Sequence, residues 1–206
     1  MGRRRSITSF FVSLAIGVAA IGATPAAAQF SESFNFLKAV RDADGEKVTK
    51  SLRDSGSTLI NTRDFSTGDA ALHIVVKRRD LTWLNFLLGN GANPDIRDNA
   101  GNTPLIKAAQ IGFIEGVSAL VARGAKVNLG NSSGETPLII ATQQRDLALV
   151  RVLLTSGADP RQPDRIAGKS AHDYAAEDPR SASVLKMLDA APVVTKPKPK
   201  LSGPGL

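Results

Sequence analysis

The chain has 206 residues, of which 42% are apolar, and this excludes a wholly disordered chain while leaving room for one domain with a sizeable core. It has no cysteine, so disulfides, thiolate metal sites and cysteine nucleophiles are excluded together. The net charge of +7 does not indicate a nucleic-acid partner, because six basic residues at the two ends account for nearly all of it, whereas a nucleic-acid-binding fold carries its own charge.

The N-terminus has the three parts of a secretory signal peptide. Arg3, Arg4 and Arg5 precede an apolar run over residues 10–23. Ala26 and Ala28 then provide the small residues that a cleavage site needs at its −3 and −1 positions. We therefore predict a signal peptide over residues 1–28, cleaved after Ala28. The apolar run is shorter than the roughly 20 residues of a spanning helix. The prediction is a bacterial periplasmic protein; secretion and an uncleaved N-terminal anchor in the inner membrane are the alternatives.

The middle of the chain repeats with a period of 33 residues. Gly68, Gly101 and Gly134 recur at this spacing. Each unit also contains an apolar row spaced i, i+3, i+6, i+7, as in residues 81–88, and such a row forms one face of a helix. The Gly-Ala pairs that begin at residues 91, 124 and 157 recur at the same spacing. Three independent registers that share one period indicate a true repeat.

The start of each unit indicates how its first helix begins. The segment "GNTPLIKAAQ" at residues 101–110 returns as "GETPLIIATQ" at residues 134–143. Thr103 is placed to cap the helix, and Pro104 occupies the first helical position, where a missing N–H costs nothing. The second helix of a unit ends at a glycine such as Gly124, which accepts a left-handed backbone.

Two features depart from this pattern. Gly112 stands at the turn between the two helices of one unit, but Arg79 and Arg145 stand there in the neighbouring units. A left-handed backbone would cost each arginine roughly 1–2 kcal/mol, so we expect these turns to be built differently. The segment "GDAALH" at residues 68–73 lacks the Thr-Pro pair, which predicts a weaker helix start.

With its period of 33 residues and its G-x-T-P-L helix starts, the chain resembles the ankyrin-repeat family. The resemblance implies an all-α solenoid of helix-turn-helix units joined by β-hairpin-like loops. It covers about residues 33–190 of a predicted repeat domain at 29–190. It divides them into about five units, of which the first and last are degenerate caps: 33–63, 64–97, 98–130, 131–164 and 165–190. Residues 191–206 alternate Lys with Pro, which predicts a disordered tail.

Members of this family bind proteins through a concave face, which the first helices and the hairpin tips form. Carried over by position, the candidate partner-binding residues are Phe65, Lys77, Arg78, Asp98, Asn99, Lys107, Gln110, Ile111, Asn131, Gln143 and Gln144. Phe65 and Ile111 stand out, because folding alone does not require apolar groups there and interfaces are anchored by such groups. The copies of the repeat also differ on this face, since Lys107 becomes Ile140 and Ile111 becomes Gln144.

The histidines and the tryptophan have structural explanations. His73 occupies the family's T-P-L-H position, where the resemblance implies a hydrogen bond between adjacent repeats. His172 is expected to lie part-exposed at the last cap, and Trp83 to pack between units. Neither histidine has partners that suggest a zinc site. No H-E-x-x-H, G-x-S-x-G or phosphate-binding glycine loop occurs, so we predict no metal, no cofactor and no catalysis.

The sequence thus predicts a monomeric, non-enzymatic module that binds a protein of unknown identity in the bacterial periplasm and binds no nucleic acid. One alternative is a secreted effector that binds host proteins. Another is a structural or tethering envelope protein, whose basic tail makes weak contact with anionic envelope polymers. The nearly neutral middle of the chain makes this tethering role the weaker hypothesis.

Overall fold

The protein is described by a computed structural model over residues 25–191, apart from the side chains of residues 25–31 and 55–57. Within these residues it has ten α-helices, two short 3-10 helices at Gly56–Asn61 and Pro179–Ser181, and no strand. The helices are α1 (Pro25–Arg41), α2 (Gly45–Ser55), α3 (Ala71–Lys77), α4 (Leu81–Gly89), α5 (Pro104–Gln110), α6 (Ile114–Ala122), α7 (Pro137–Gln143), α8 (Leu147–Thr155), α9 (Ala171–Glu177) and α10 (Ala182–Asp189). The predicted all-α fold is confirmed.

Consecutive helices pack as five pairs, and the pairs stack into a solenoid. The first helices form one layer, in which α1, α3, α5, α7 and α9 contact one another in chain order. The second helices α4, α6, α8 and α10 form the other layer in the same way. Leu, Ile, Val and Ala side chains fill the space between the layers, so one continuous core runs the length of the stack.

The helix starts that the repeat predicts are confirmed. The Oγ1 of Thr103 accepts a hydrogen bond from the backbone N–H of Ile106, and Thr136 caps its helix in the same way, both at 3.2 Å. Pro104 and Pro137 follow in the first turn. At the start of α3 there is no hydroxyl at Ala70. There, the backbone N–H of Ala70 donates instead to Nδ1 of His73, at 3.1 Å.

The expectation of differently built turns at Arg79 and Arg145 is wrong. Their φ angles are 55° and 57°, close to the 61° of Gly112, so all three turns use the left-handed backbone. Each arginine side chain reaches the next unit. Arg79 donates to the backbone oxygens of Ile111 and Gly112 at 3.2 and 2.9 Å. Hydrogen bonds of this kind offset the local strain.

The predicted signal peptide lies mostly outside the described residues, as does nearly all of the predicted tail. Helix α1 begins at Pro25, so a cut after Ala28 would fall within its first turn. No helix among residues 25–191 is both long enough and apolar enough to cross a membrane. That finding does not bear on the apolar run at residues 10–23.

One buried polar atom in the core has no partner. Thr142 lies in α7 with its side chain buried, and among the described residues its Oγ1 alone is a buried side-chain oxygen or nitrogen without a hydrogen bond. The same position one unit earlier is Ala109, and two units earlier it is the fully buried Val76. The repeat therefore accommodates valine at this position.

We expect Thr142→Val to raise the free energy of unfolding by about 1 kcal/mol. The substitution keeps the branched shape and removes a hydroxyl whose burial without a hydrogen bond is costly. Urea denaturation followed by circular dichroism measures the change. Thr82→Val, at an exposed position in α4, is the matched control and should shift stability by less than about 0.5 kcal/mol. Equal shifts would contradict the explanation.

Candidate functional site

Four hairpin tips follow one another along one edge of the solenoid, at residues 64–69, 98–102, 131–135 and 164–169. A backbone hydrogen bond closes each tip, as between the N–H of Asp98 and the oxygen of Asn102 at 2.9 Å. Neighbouring tips are joined by further backbone bonds, including the one from the Ser132 N–H to the Ala100 oxygen at 3.1 Å. The tips therefore form a continuous row, which lies beside the first helices.

Two predicted binding residues, Asp98 and Asn131, hold the tips and are not presented to solvent. Both are buried. The carboxylate of Asp98 accepts the backbone N–H groups of Ala100 and Asn102 at 2.9 and 2.8 Å, and Asn131 accepts two such groups in its own tip. Their candidacy as partner-binding residues is thus corrected: the side chains are directed inward because the tight turns need them as acceptors.

The environment of Asp98 keeps it ionised. Burial on its own would raise the pKa of this carboxyl. Hydrogen bonds from Asn102 and an ion pair with Lys107 at 3.2 Å outweigh burial, so the pKa lies below its usual value. A negative charge therefore lies beneath Lys107.

Four other predicted residues are accessible, and three of them also tie neighbouring units together. Lys77 stays within its own unit, where its Nζ lies 2.6 Å from Asp69 Oδ2. The side chains of Arg78, Asn99 and Gln144 donate to backbone oxygens of preceding units, at 2.9, 3.0 and 2.9 Å. These side chains fix the geometry of the inner face, and their outer surfaces remain available to a partner.

The remaining predicted helix residues differ in exposure. Gln110 and Gln143 are exposed at the ends of α5 and α7, whereas Ile111 is half-buried and packs against the core. Ile140, which replaces Lys107 in the next unit, is buried. The exchange of Lys107 for Ile140 therefore does not place an apolar group on the surface.

Among the residues whose exposure the structure describes, the most exposed large apolar side chains lie on the first and last tips. Phe65 is 89% exposed and Ile166 is 81% exposed. Their tips, 64–69 and 164–169, are each one residue longer than the two middle tips. Phe65 was among the sequence candidates, but Ile166 was not. The spacing of 34 residues between Gly134 and Gly168, instead of 33, was the signal that could have identified it.

His73 has the structural partner that the sequence suggested, and His172 lies part-exposed in the last unit, as expected. His73 is fully buried, and its Nε2 lies 3.0 Å from the backbone oxygen of Asn102 in the next unit. His172 is half-buried in the last unit, with Nε2 2.9 Å from Asp189 Oδ1. Trp83 is partly buried and packs against the core, as predicted. In the part of the chain that the structure describes, no group of three or more histidines and carboxylates could hold a metal ion.

The chain matches a family model of ankyrin repeats, in three copies, over residues 36–164. It is similar to a putative ankyrin repeat protein, FPV031, of fowlpox virus, at 33% identity over 84 residues, which are 36% of this chain and 24% of that protein. It is 40% identical over 47 residues to the nuclear factor NF-kappa-B p110 subunit of Drosophila melanogaster, covering 23% of this chain and 5% of that one. The oxysterol-binding protein homolog 1 of Saccharomyces cerevisiae is 40% identical over 60 residues, or 29% of this chain and 5% of that protein. The matches thus span at most a quarter of each relative.

Proposed function

Since the chain belongs to the ankyrin-repeat family, whose repeats are protein-interaction modules, we propose that it binds one protein partner in the bacterial periplasm and carries out no catalysis. Binding would use the row of hairpin tips together with the exposed ends of the first helices. The signal-peptide pattern of residues 1–28 supports the periplasmic location. A secreted effector and an envelope tether that uses the Lys/Pro tail are the alternatives.

The observation that carries this proposal is the exposure of Phe65 and Ile166. Exposed apolar side chains gain roughly 1.5–3 kcal/mol each when they are fully buried. The two residues lie on tips three units apart, which corresponds to about 30 Å at a helix spacing of 8–10 Å. A partner that covers both would span most of the row, with the polar middle tips between two apolar anchors.

We expect Phe65→Ser together with Ile166→Ser to reduce partner capture by at least about tenfold, because anchors of this kind each contribute more than 1 kcal/mol. The measurement is cross-linking in intact cells, followed by affinity capture of the full chain from periplasm, membranes and culture medium. Phe34→Ser is the matched control, because Phe34 is an exposed phenylalanine on α1, away from the tips.

Capture by wild type and Phe34→Ser should be saturable and confined to the periplasmic fraction. If the double variant captured the same protein as well as wild type does, the tips would not be the binding site. Recovery from the medium would instead favour the secreted effector, and retention on membranes that is lost with the tail would favour the tether.

A further inference from the structure

On the inner side of the first three units, the bases of the ion pairs are more exposed than the acids. Lys77 is 47% exposed against 10% for its partner Asp69, and Lys107 is 20% exposed against 6% for Asp98. The pair of Arg41 with Asp64 has the same arrangement. The formal charges nearly cancel, but the base of each pair lies closer to the solvent, and so to a partner, than the acid does.

Arg63 adds a positive charge, and neither of its hydrogen-bond acceptors is a carboxylate. Its guanidinium donates to the backbone oxygen of Gly68 at 3.2 Å and to the side-chain oxygen of Asn99 at 3.0 Å. Both acceptors are neutral, so these bonds fix the position of the arginine without cancelling its charge. Arg63 also links the first tip to the second, because Gly68 belongs to one and Asn99 to the other.

We propose that this basic face (Arg41, Arg63, Lys77 and Lys107) binds an acidic polypeptide segment, and that an apolar residue of the segment packs on Phe65. The inference rests on the proposed protein-binding function and names the chemistry of the partner. Phe65 is in the first tip, next in sequence to Asp64, the partner of Arg41, and its side chain is 89% exposed. Carboxylates complement the exposed bases, and the apolar residue gains by burial against the ring.

A polypeptide fits this face better than a nucleic acid does. Asp64, Asp69 and Asp98 pair with Arg41, Lys77 and Lys107, so only Arg63 has no acid among its hydrogen-bond partners and the face has little net positive charge for a run of phosphates. Affinity for nucleic acid grows with the number of phosphates that are neutralised, and this face offers few cations. A segment that alternates carboxylates with an apolar residue needs fewer ionic contacts, because Phe65 contributes too.

The test is a titration of the full-length chain with labelled peptides of roughly twelve residues, which span about 40 Å when extended. One peptide is glutamate-rich with a central leucine, the second has serine in place of leucine, and the third has lysine in place of glutamate. A single-stranded oligothymidylate is the fourth probe. Fluorescence anisotropy measures binding at about 0.05 M and about 0.3 M salt, where screening differs.

We expect the glutamate peptide with leucine to bind most tightly and to weaken as salt rises. Phe65→Ser should weaken it about tenfold and abolish its advantage over the serine peptide. Lys77→Gln should weaken it about threefold, as expected for one ionic contact at the surface. Lys126→Gln is the control. This exposed lysine also pairs with an aspartate, Asp95, but neither residue belongs to the basic face, so the substitution should leave binding of the peptide unchanged.

Asp69→Asn separates binding from folding. Like Lys77→Gln, it breaks the pair between Lys77 and Asp69, so both variants lose similar stability. It also removes the negative charge beneath the lysine, so it should strengthen binding of the glutamate peptide about threefold.

The proposal is overturned if the two variants change binding in the same direction, if the lysine peptide binds equally well, or if oligothymidylate binds more tightly than the glutamate peptide. If the peptides fail while cellular capture still depends on Phe65, protein binding stands and the acidic class of partner is wrong.

Discussion

Replacing His73 by alanine is expected to lower the free energy of unfolding by about 4 kcal/mol. The ring is fully buried, its Nδ1 accepts the N–H of Ala70, and its Nε2 then carries the proton that faces the oxygen of Asn102. Truncation leaves two buried backbone groups without partners, at roughly 1–3 kcal/mol each, and opens a cavity. Urea denaturation measures the loss, and His172→Ala, at the half-buried pair with Asp189, should cost about 1 kcal/mol or less.

His73 also predicts a pH dependence of stability. Burial lowers the pKa of its imidazole below the ordinary value, although Asp69 and Asp98 act in the opposite direction. As the pH falls below about 6.5, the unfolded chain takes up a proton that the folded chain does not, so stability falls. The slope approaches about 1.4 kcal/mol per pH unit until the folded pKa is reached. Carboxylates with lowered pKa values, such as Asp98, also stabilise the folded chain, but this stabilisation is lost only near pH 4 and below.

Denaturation curves at several pH values between about 7.5 and 5 measure this slope. His73→Gln should remove most of it, because glutamine keeps polar atoms at this position but takes up no proton in this pH range. An unchanged slope in His73→Gln would show that the imidazole takes up its proton over the same pH range in the folded and unfolded chains, and this would contradict the prediction.

The parts of the fold that the sequence predicted depend on groups close together along the chain. A capping hydroxyl and a proline act within one turn, so Thr103 and Pro104 are recognisable wherever they occur. A left-handed glycine and an apolar row at helical spacing are equally local. The repeat adds a check, because each signal recurs in the next unit. For these reasons the helix starts and the five stacked pairs followed from the sequence.

The parts that could not be predicted depend on residues about 30 positions away. Whether Asp98 faces solvent or its own backbone depends on how tightly the tip closes, and this is set by contacts with the neighbouring tips. The left-handed backbone of Arg79 is acceptable because its side chain reaches carbonyls of the following unit. Ile166 becomes an exposed apolar side chain because its tip has one additional residue, and this insertion lengthens the spacing between repeats without changing their pattern.

The basic face likewise could be predicted only in part from the sequence. Lys77 and Lys107 were identified by position, but the sequence does not reveal that their partners are the more buried members of each pair. Counting charges along the chain indicated near neutrality. Only the folded tips place the carboxylates below and the ammonium groups closer to solvent, and this placement cannot be read from the sequence.

The second large effect is expected at Gly101, where Gly101→Ala should lower the free energy of unfolding by at least about 3 kcal/mol. The residue has a φ of +77°, which costs an alanine about 1–2 kcal/mol. A Cβ there would also lie 2.7 Å from the backbone nitrogen of Ser132 and 2.5 Å from its Oγ. Backbone cannot yield as a flexible side chain can, so the following tip must move and its bond to Ala100 must weaken.

Gly124→Ala is the control that separates strain from contact. Its φ of +86° is equally left-handed, but among the described residues no heavy atom that could obstruct a Cβ lies within 4 Å. It should therefore cost only about 1–2 kcal/mol. Because a solenoid's stability is a sum over units and their interfaces, the additional loss at Gly101 should weaken the junction of the third and fourth units and broaden the urea transition. That junction lies between Phe65 and Ile166, so Gly101→Ala should also reduce partner capture at temperatures where the chain is still folded. Equal losses in the two variants would mean that the tips do not couple the units.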